Sequence, residues 1–268
     1  MMAIYNKVSV KWHVRVRWLL SICLMALLPL VASAQVGEYR TDFAVGVNGG
    51  YVMNKISFVP DVPQKYMGGL TGGLTLRYTC EKYFKSICGV TAEVNFAQLG
   101  WKEEILDIND NPIYYVDDTE KTNPLFYERR ITYVQIPLLA RMGWGRERKG
   151  IQAFFQIGPQ IGLFLSESTN TNILDGHGTQ SYRSSLIVEQ EKMPVENKLD
   201  YGIAGGAGVE FSNPKIGHIL LEGRYYFGLG NIFGNTKQDY FGKSNHGSII
   251  VKMTYLFDVI RTKNPKIK

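Results

Sequence analysis

Gly69-Leu-Thr-Gly-Gly-Leu-Thr-Leu-Arg-Tyr-Thr79 is the stretch on which the reading of this chain turns. Leu70, Leu74, Leu76 and Tyr78 share one parity, while Thr71, Gly73, Thr75 and Arg77 occupy the other. Successive side chains of a β-strand point to opposite faces, so a period of two sorts these residues onto an apolar and a less apolar side. The pattern returns at 88–98, where Cys88, Val90, Ala92, Val94 and Phe96 oppose Gly89, Thr91, Glu93 and Asn95. At 199–211, Leu199, Tyr201, Ile203, Ala207, Val209 and Phe211 oppose Asp200, Gly202, Ala204, Gly206, Gly208 and Glu210. Near the end, Ile249, Val251, Met253, Tyr255 and Phe257 oppose Lys252 and Thr254. Segments 43–54, 130–142, 151–165 and 218–230 fit the template less cleanly. With them the strands number eight.

Between these segments the connections alternate in length. Those near 55–68, 102–128, 166–197 and 231–245 are long and polar, and those near 80–87, 143–150 and 212–217 are short. Outer-membrane barrels have short periplasmic turns, long extracellular loops and an even strand count, which gives this order. A soluble sandwich has no reason to sort its loops so. The fold expected is all-β: a closed antiparallel up-and-down transmembrane β-barrel of eight strands. The 28 Gly, 16 Tyr and 13 Phe suit strands, tight turns and interfacial aromatics better than helices.

The occupants of the less apolar face say which way it points. Arg77, Glu93, Gln135, Arg141, Glu210, Glu222, Arg224 and Lys252 all fall there when parity is kept within each strand. An Arg or Lys facing lipid near the bilayer midplane costs about 2–4 kcal/mol, so this face is expected to line the lumen. Eight strands enclose a bore that side chains can fill. The expectation is a plugged interior of paired Arg/Lys and Glu, with Arg77, Glu93, Arg141, Glu210, Glu222, Arg224 and Lys252 as its charge network. Small residues at Gly202, Ala204, Gly206 and Gly208 would let strands bend around a narrow bore.

Residues 1–34 read as a cleaved signal peptide. Lys7 to Arg17 form a basic stretch, the apolar run Trp18–Val31 follows, and Ala32-Ser33-Ala34 is a small-residue cleavage site. The domain expected is then 35–268, and no later stretch has 18 consecutive apolar residues, so the mature chain would enter a membrane by strands. The net charge of +6 is concentrated at the ends: Lys7, Lys11, Arg15 and Arg17, then Arg261, Lys263, Lys266 and Lys268. Taking those eight cations from +6 leaves 35–260 at −2, with no basic stripe for nucleic acid.

Cys80 and Cys88 flank a short turn. A hairpin symmetric about Phe84 would set Leu76 against Ala92 and Cys80 against Cys88, and an oxidising compartment would then allow a cross-strand disulfide; two thiols remain the alternative. Gly202-x-x-Gly205-Gly206-x-Gly208 superficially matches a dinucleotide fingerprint, but its glycines lie inside an alternating strand and no helix opens on them. Asp107-Ile-Asn-Asp-Asn-Pro112 offers oxygen ligands yet lacks the glycine and distal Glu of a Ca²⁺ loop, so a turn is expected. Tyr114, Tyr115, Phe126 and Tyr127 could form a ligand patch, rim packing or an aromatic girdle. Of the mature-chain histidines His177, His218 and His246, His246 shares a face with Ser248 and has Ser244 close by, but nothing specifies the base and orienting group a nucleophile needs. No catalytic residue, cofactor or metal is therefore assigned.

Four stretches together carry a family resemblance: Phe43-Ala-Val-Gly-Val-Asn-Gly-Gly-Tyr51, Ile131-Thr-Tyr-Val-Gln-Ile-Pro-Leu-Leu139, Leu199–Phe211 and Glu222-Gly-Arg-Tyr-Tyr-Phe-Gly-Leu-Gly-Asn231. In these the chain resembles the PorT-type outer-membrane β-barrel family of Bacteroidetes. The resemblance implies an eight-stranded barrel in the cell outer membrane, and for the family's namesake a tie to type IX secretion. A short basic tail after Phe257 departs from barrels that stop at the terminal aromatic. The expected role is a non-enzymatic barrel, embedded in outer-membrane lipid, whose extracellular loops bind a protein partner or small ligand or which supports secretion. A rim enzyme acting on lipid or peptide and a soluble periplasmic β-sandwich are the competing readings.

Overall fold

The computed structural model describes residues 38–261 apart from 84–85, 117–121, 147–148, 174–182, 235 and 237–238. Segment 1–34, expected to be a signal peptide, and His177 lie outside the described residues. Eight long strands are formed by β1 (Glu38–Val59), β3 (Met67–Tyr83), β4 (Ser86–Glu104), β7 (Phe126–Gly145), β8 (Gly150–Thr171), β9 (Leu199–Asn213), β10 (Gly217–Gly228) and β11 (Lys243–Ile260). Each pairs antiparallel with the next, and β11 returns to pair with β1, so the sheet closes in a ring. A two-residue strand, β2 (Gln64–Lys65), adds to the end of β4. A small ribbon of β5 (Tyr114–Val116) and β6 (Thr122–Pro124) and one helical turn, α1 (Glu189–Lys192), sit in the connections.

The strands extend beyond the periodic segments read from the sequence. At one end the connections are 60–66, 105–125, 172–198 and 229–242; at the other they are 84–85, 146–149 and 214–216.

Register fixes the shape of the ring. From Asn48 the pairing runs through Gly73, Asn95 and Gln135 to Gly162, and in the other direction through Thr254, Leu220 and Glu210 to Gln152. The two paths reach β8 ten residues apart. With strands about 4.8 Å apart and about 3.3 Å per residue, that stagger tilts eight strands by about 40° from the axis. The bore is then narrow enough for side chains to close.

One expected pairing is corrected by the register. Leu76 does face Ala92, but the register shifts between Thr79 and Glu81, so Cys88 stands opposite Glu81. Cys80 is the extra residue of a β-bulge, which turns it away from the position a cross-strand bridge requires. Both cysteines are thiols, and Cys80 Sγ donates to the Cys88 carbonyl across 3.4 Å.

The ring is inside-out relative to a soluble protein. Val47, Leu70, Leu74, Val94, Phe96, Leu138, Ile157, Val209, Leu221 and Met253 are exposed on its outer wall. Arg77, Glu93, Gln135, Arg141, Gln156, Glu210, Glu222, Arg224 and Lys252 are buried within. Neighbouring outward positions on adjacent strands make this apolar exposure continuous, far beyond the scattered apolar residues usual on a soluble surface.

Candidate functional site

The interior is built in two tiers. In the lower tier, which faces the short turns, seven charged side chains from six strands meet. Arg224 of β10 donates from Nη1 and Nη2 to the two carboxylate oxygens of Glu93 on β4, each at 2.9 Å, and from Nε to Glu222 at 2.7 Å. Lys252 of β11 also donates to Glu93 and lies 3.8 Å from Glu222. Glu210 of β9 accepts from Arg77 of β3 at 2.8 Å and from Arg141 of β7. Gln156 donates to Glu222 at 2.7 Å, and Asn95 donates to Glu93 at 2.8 Å. These are the seven charged residues that parity selects; the structure places all of them inside, in two bonded groups, Glu93 with Glu222, Arg224 and Lys252, and Glu210 with Arg77 and Arg141. Bidentate guanidinium–carboxylate contacts of this kind fix geometry as well as charge, because the fork matches two oxygens.

Below this cluster sits a group that the sequence reading missed. His218 Nδ1 is 2.6 Å from Glu210 and its Nε2 is 3.0 Å from Asp258. Ser212 Oγ donates to Glu210 at 3.1 Å, and Arg261 pairs with Asp258. Parity does place His218 and Asp258 inward, since they continue the even-numbered series of Glu222 and Lys252. Their strand ends lie outside the cleanest alternation, where that series is hard to follow.

The upper tier, toward the long connections, is apolar. Phe58 and Trp101 project inward from β1 and β4 and pack with Phe233 and Phe241 of the 229–242 connection, at centroid separations of 5.0–6.3 Å. Val52, Ile56, Leu99, Ile131 and Tyr133 continue the cluster down the walls, while Val62, Ile105, Leu125 and Val195 close it from the connections. The expected plug of ion pairs named no aromatic part; in this tier aromatic burial takes over, because loop side chains fold back into the mouth.

Two arginines fasten the 172–198 connection over this tier. Arg129 donates to the carbonyls of Gln190 and Met193 around α1 and pairs with Glu167. Arg183 bridges Glu103 at 3.2 Å and Glu191 at 2.6 Å. Alongside, the Asp107 carboxylate accepts the backbone N–H groups of Asn111 at 2.9 Å and Asn109 at 2.7 Å. Those bonds hold its carboxyl below the usual aspartate range. The 107–112 stretch is thus a tight turn, bridged at Asp107 to Arg183, with Asp110 in the left-handed region at φ 61°.

A ring of antiparallel strands with lipophilic outer wall and ionic interior is the geometry of a membrane barrel, and the sequence matches the outer membrane protein beta-barrel domain over residues 33–234. The chain belongs to that family. The barrel accordingly resides in the outer membrane. No curated protein matches it. Among solved structures it is similar to the attachment invasion locus protein Ail of Yersinia pestis, with 12% identity, 80% of this chain and 98% of that chain covered, and a TM-score of 0.32. Neisserial surface protein A shares 10% identity over 80% of this chain and 97% of its own, with a TM-score of 0.38. OprG from Pseudomonas aeruginosa shares 12% over 82% and 98%, with a TM-score of 0.36.

The remaining candidates take their places on the barrel. Gly202, Gly205, Gly206 and Gly208 lie inside β9. His246 is buried beside Asn54, at 3.3 Å, and Tyr133, at 3.4 Å. Ser248 donates to the Asn54 side chain, and Ser244 accepts from the Phe233 backbone at 3.1 Å. His246 and Ser248 therefore meet through Asn54, without a bond to each other. Among the described residues, no group of three His, Cys, Asp or Glu side chains is placed to hold a metal ion. Tyr114 is exposed on β5, whereas Tyr127 is buried against Trp101 and donates to the Glu191 carbonyl at 3.1 Å.

Proposed function

We propose that this protein is an eight-stranded, non-conducting and non-enzymatic transmembrane barrel that presents its long connections outside the cell to a protein partner or small ligand. The observation that carries the reading is the doubly closed bore: ion pairs joined across it by Arg224, Glu93 and Lys252, and an aromatic seal above them. A barrel with no aqueous path has its surfaces left for function. The 105–113 and 183–188 stretches support one such surface. Ser184 N donates to Leu106 O at 2.7 Å, joining the two connections, and Ile108 and Leu186 are 78% and 69% exposed on them. Apolar side chains displayed on docked loops, clear of the lipid-facing wall, fit a protein contact.

In this reading residues 1–34 are the export signal, and the long connections are extracellular because periplasmic turns are short. Membership of the PorT-type group, with a supporting role in secretion, is the finer assignment that the sequence resemblance favours. Planar-bilayer recording tests the core claim. The purified barrel is expected to show no steady conductance, and a large, long-lived open level would overturn it.

A further inference from the structure

The outer wall carries a groove where β10 stops and β11 continues. The last pair between them is Phe227 with Gly247, while β11 and β1 remain paired up to Lys243 and Val59. Tyr225 and Phe227 of β10 line one flank and Lys55 of β1 the other, Gly247 of β11 lies between, and Lys243 and Tyr66 complete the lining. Gly247 leaves the slot open: a Cβ there would meet nothing closer than the Tyr225 hydroxyl at 3.3 Å.

Its height is set by the register. Phe257 and Gly247 are ten residues apart on β11, and at a tilt of about 40° that separation spans about 25 Å, the height of a barrel's apolar band. The groove therefore begins where the hydrocarbon ends, at headgroup level. Asn245, only 8% exposed, lines it too. Its Nδ2 donates to the Gly228 carbonyl at 3.1 Å, while its Oδ1 has no donor among the described residues. Asp61 lies on the same rim and offsets one of the two lysines.

We infer that this groove binds the headgroup of a phosphorylated glycolipid of the outer leaflet. Lys55 and Lys243 face its phosphates, and Tyr225 and Phe227 pack on the sugar and the first acyl carbons. A phosphate alone would satisfy the lysines and leave the aromatic flank idle; a plain acyl chain would waste both lysines. The inference rests on the reading that the long connections lie outside the cell.

Purified barrel in detergent micelles is titrated with diphosphoryl lipid A, with the same lipid freed of phosphate, and with phosphatidylglycerol, binding being followed by native mass spectrometry. Saturable binding of the diphosphoryl form is expected to weaken about thirtyfold in the Lys55→Ala/Lys243→Ala double variant, each lysine near a charged lipid surface supplying about fivefold. Gly247→Leu, which fills the slot and keeps both charges, should also abolish it, and unchanged heat-modifiable gel mobility shows that both variants fold. Equal binding of the phosphate-free lipid or of phosphatidylglycerol, or indifference to either variant, overturns the site. Orientation is read separately, by labelling Asn109→Cys in intact cells with an impermeant maleimide after Cys80 and Cys88 are changed to Ser. An unlabelled Asn109→Cys would overturn the outer-leaflet assignment whatever the micelles show.

Discussion

Replacing Glu93 by Gln tests the ionic tier at its centre. Glu93 is 3% exposed and is the one carboxylate that Arg224 and Lys252 both contact at hydrogen-bond distance. The change keeps volume and removes one charge. Four cations (Arg77, Arg141, Arg224, Lys252) would then face two carboxylates (Glu210, Glu222) instead of three. Arg224 keeps its Nε bond to Glu222, but Lys252 is left with that same carboxylate at 3.8 Å. Breaking a buried ion pair by deleting one partner costs about 3–5 kcal/mol, and the surviving Glu222 puts this case near the lower figure. For a domain of this size, about 3 kcal/mol lowers the unfolding midpoint by about 6–12 °C. The assay is the temperature at which the compact gel band of the micelle-embedded barrel disappears, scanned at one fixed rate because such unfolding is read kinetically. Adding Lys252→Met to Glu93→Gln removes the stranded cation and should recover most of the loss. If the single variant melted within about 2 °C of the parent, or if the second change lowered the midpoint further, the reasoning that an unpaired buried charge dominates would be wrong.

Four further outcomes follow, three from the packing and one from a carboxylate. Gly208→Ala places a Cβ 2.3 Å from the Leu221 carbonyl and 2.7 Å from the Phe154 ring, so unfolding measurements should show a loss of about 1–3 kcal/mol. Gly223→Ala on the partner strand meets nothing within 4 Å and should stay within about 0.5 kcal/mol of the parent. Trp101→Ala empties the centre of the aromatic seal and removes the ring under Arg129, 5.6 Å away; a stability loss of about 3–5 kcal/mol is expected, with faster proteolysis between 183 and 198. Because Asp107 titrates below its unfolded value, the hold it exerts on Asn111 and Asn109 is complete above the ordinary aspartate range and lost as pH falls through the depressed value. Amide exchange at Asn109 and Asn111 should therefore accelerate, relative to Asp107→Asn, only on the acid side.

Parity made the middle of each strand legible, because hydrocarbon outside and ions inside leave no freedom there. Leu74 and Thr75 could exchange roles only by carrying every neighbour on β3 with them. Legibility ended where one of the two solvents changed. Above Asn48 the inward series on β1 becomes Val52, Asn54, Ile56 and Phe58, and on β4 it becomes Ala97, Leu99 and Trp101. The rule that the apolar face is the outer one fails there, since Lys55 and Ser57 face out while Ile56 and Phe58 face in. The loop residues that complete the seal, Ile232, Phe233 and Phe241, obey no period at all. Cys80 was misplaced for a related reason. A bulge adds one residue without a compositional mark, and symmetric counting about Phe84 cannot register it.

The two tiers also divide the physical labour between them. A buried ion pair is weak evidence for stability, since its Coulomb gain is largely offset by desolvation, but each broken pair is costly. The lower tier therefore enforces one arrangement: Glu210 must meet Arg77 and Arg141, and Glu93 must meet Arg224, for any of them to be tolerated inside. A slip of one residue on any strand would turn these charges toward lipid, adding about 2–4 kcal/mol for each Arg or Lys at the midplane. The upper tier carries no such penalty for rearrangement, because Phe233 and Phe241 can repack among Phe58 and Trp101 without stranding a charge. The strands are thus locked in register from below, while the loop-borne half of the seal above is held by packing that does not fix register.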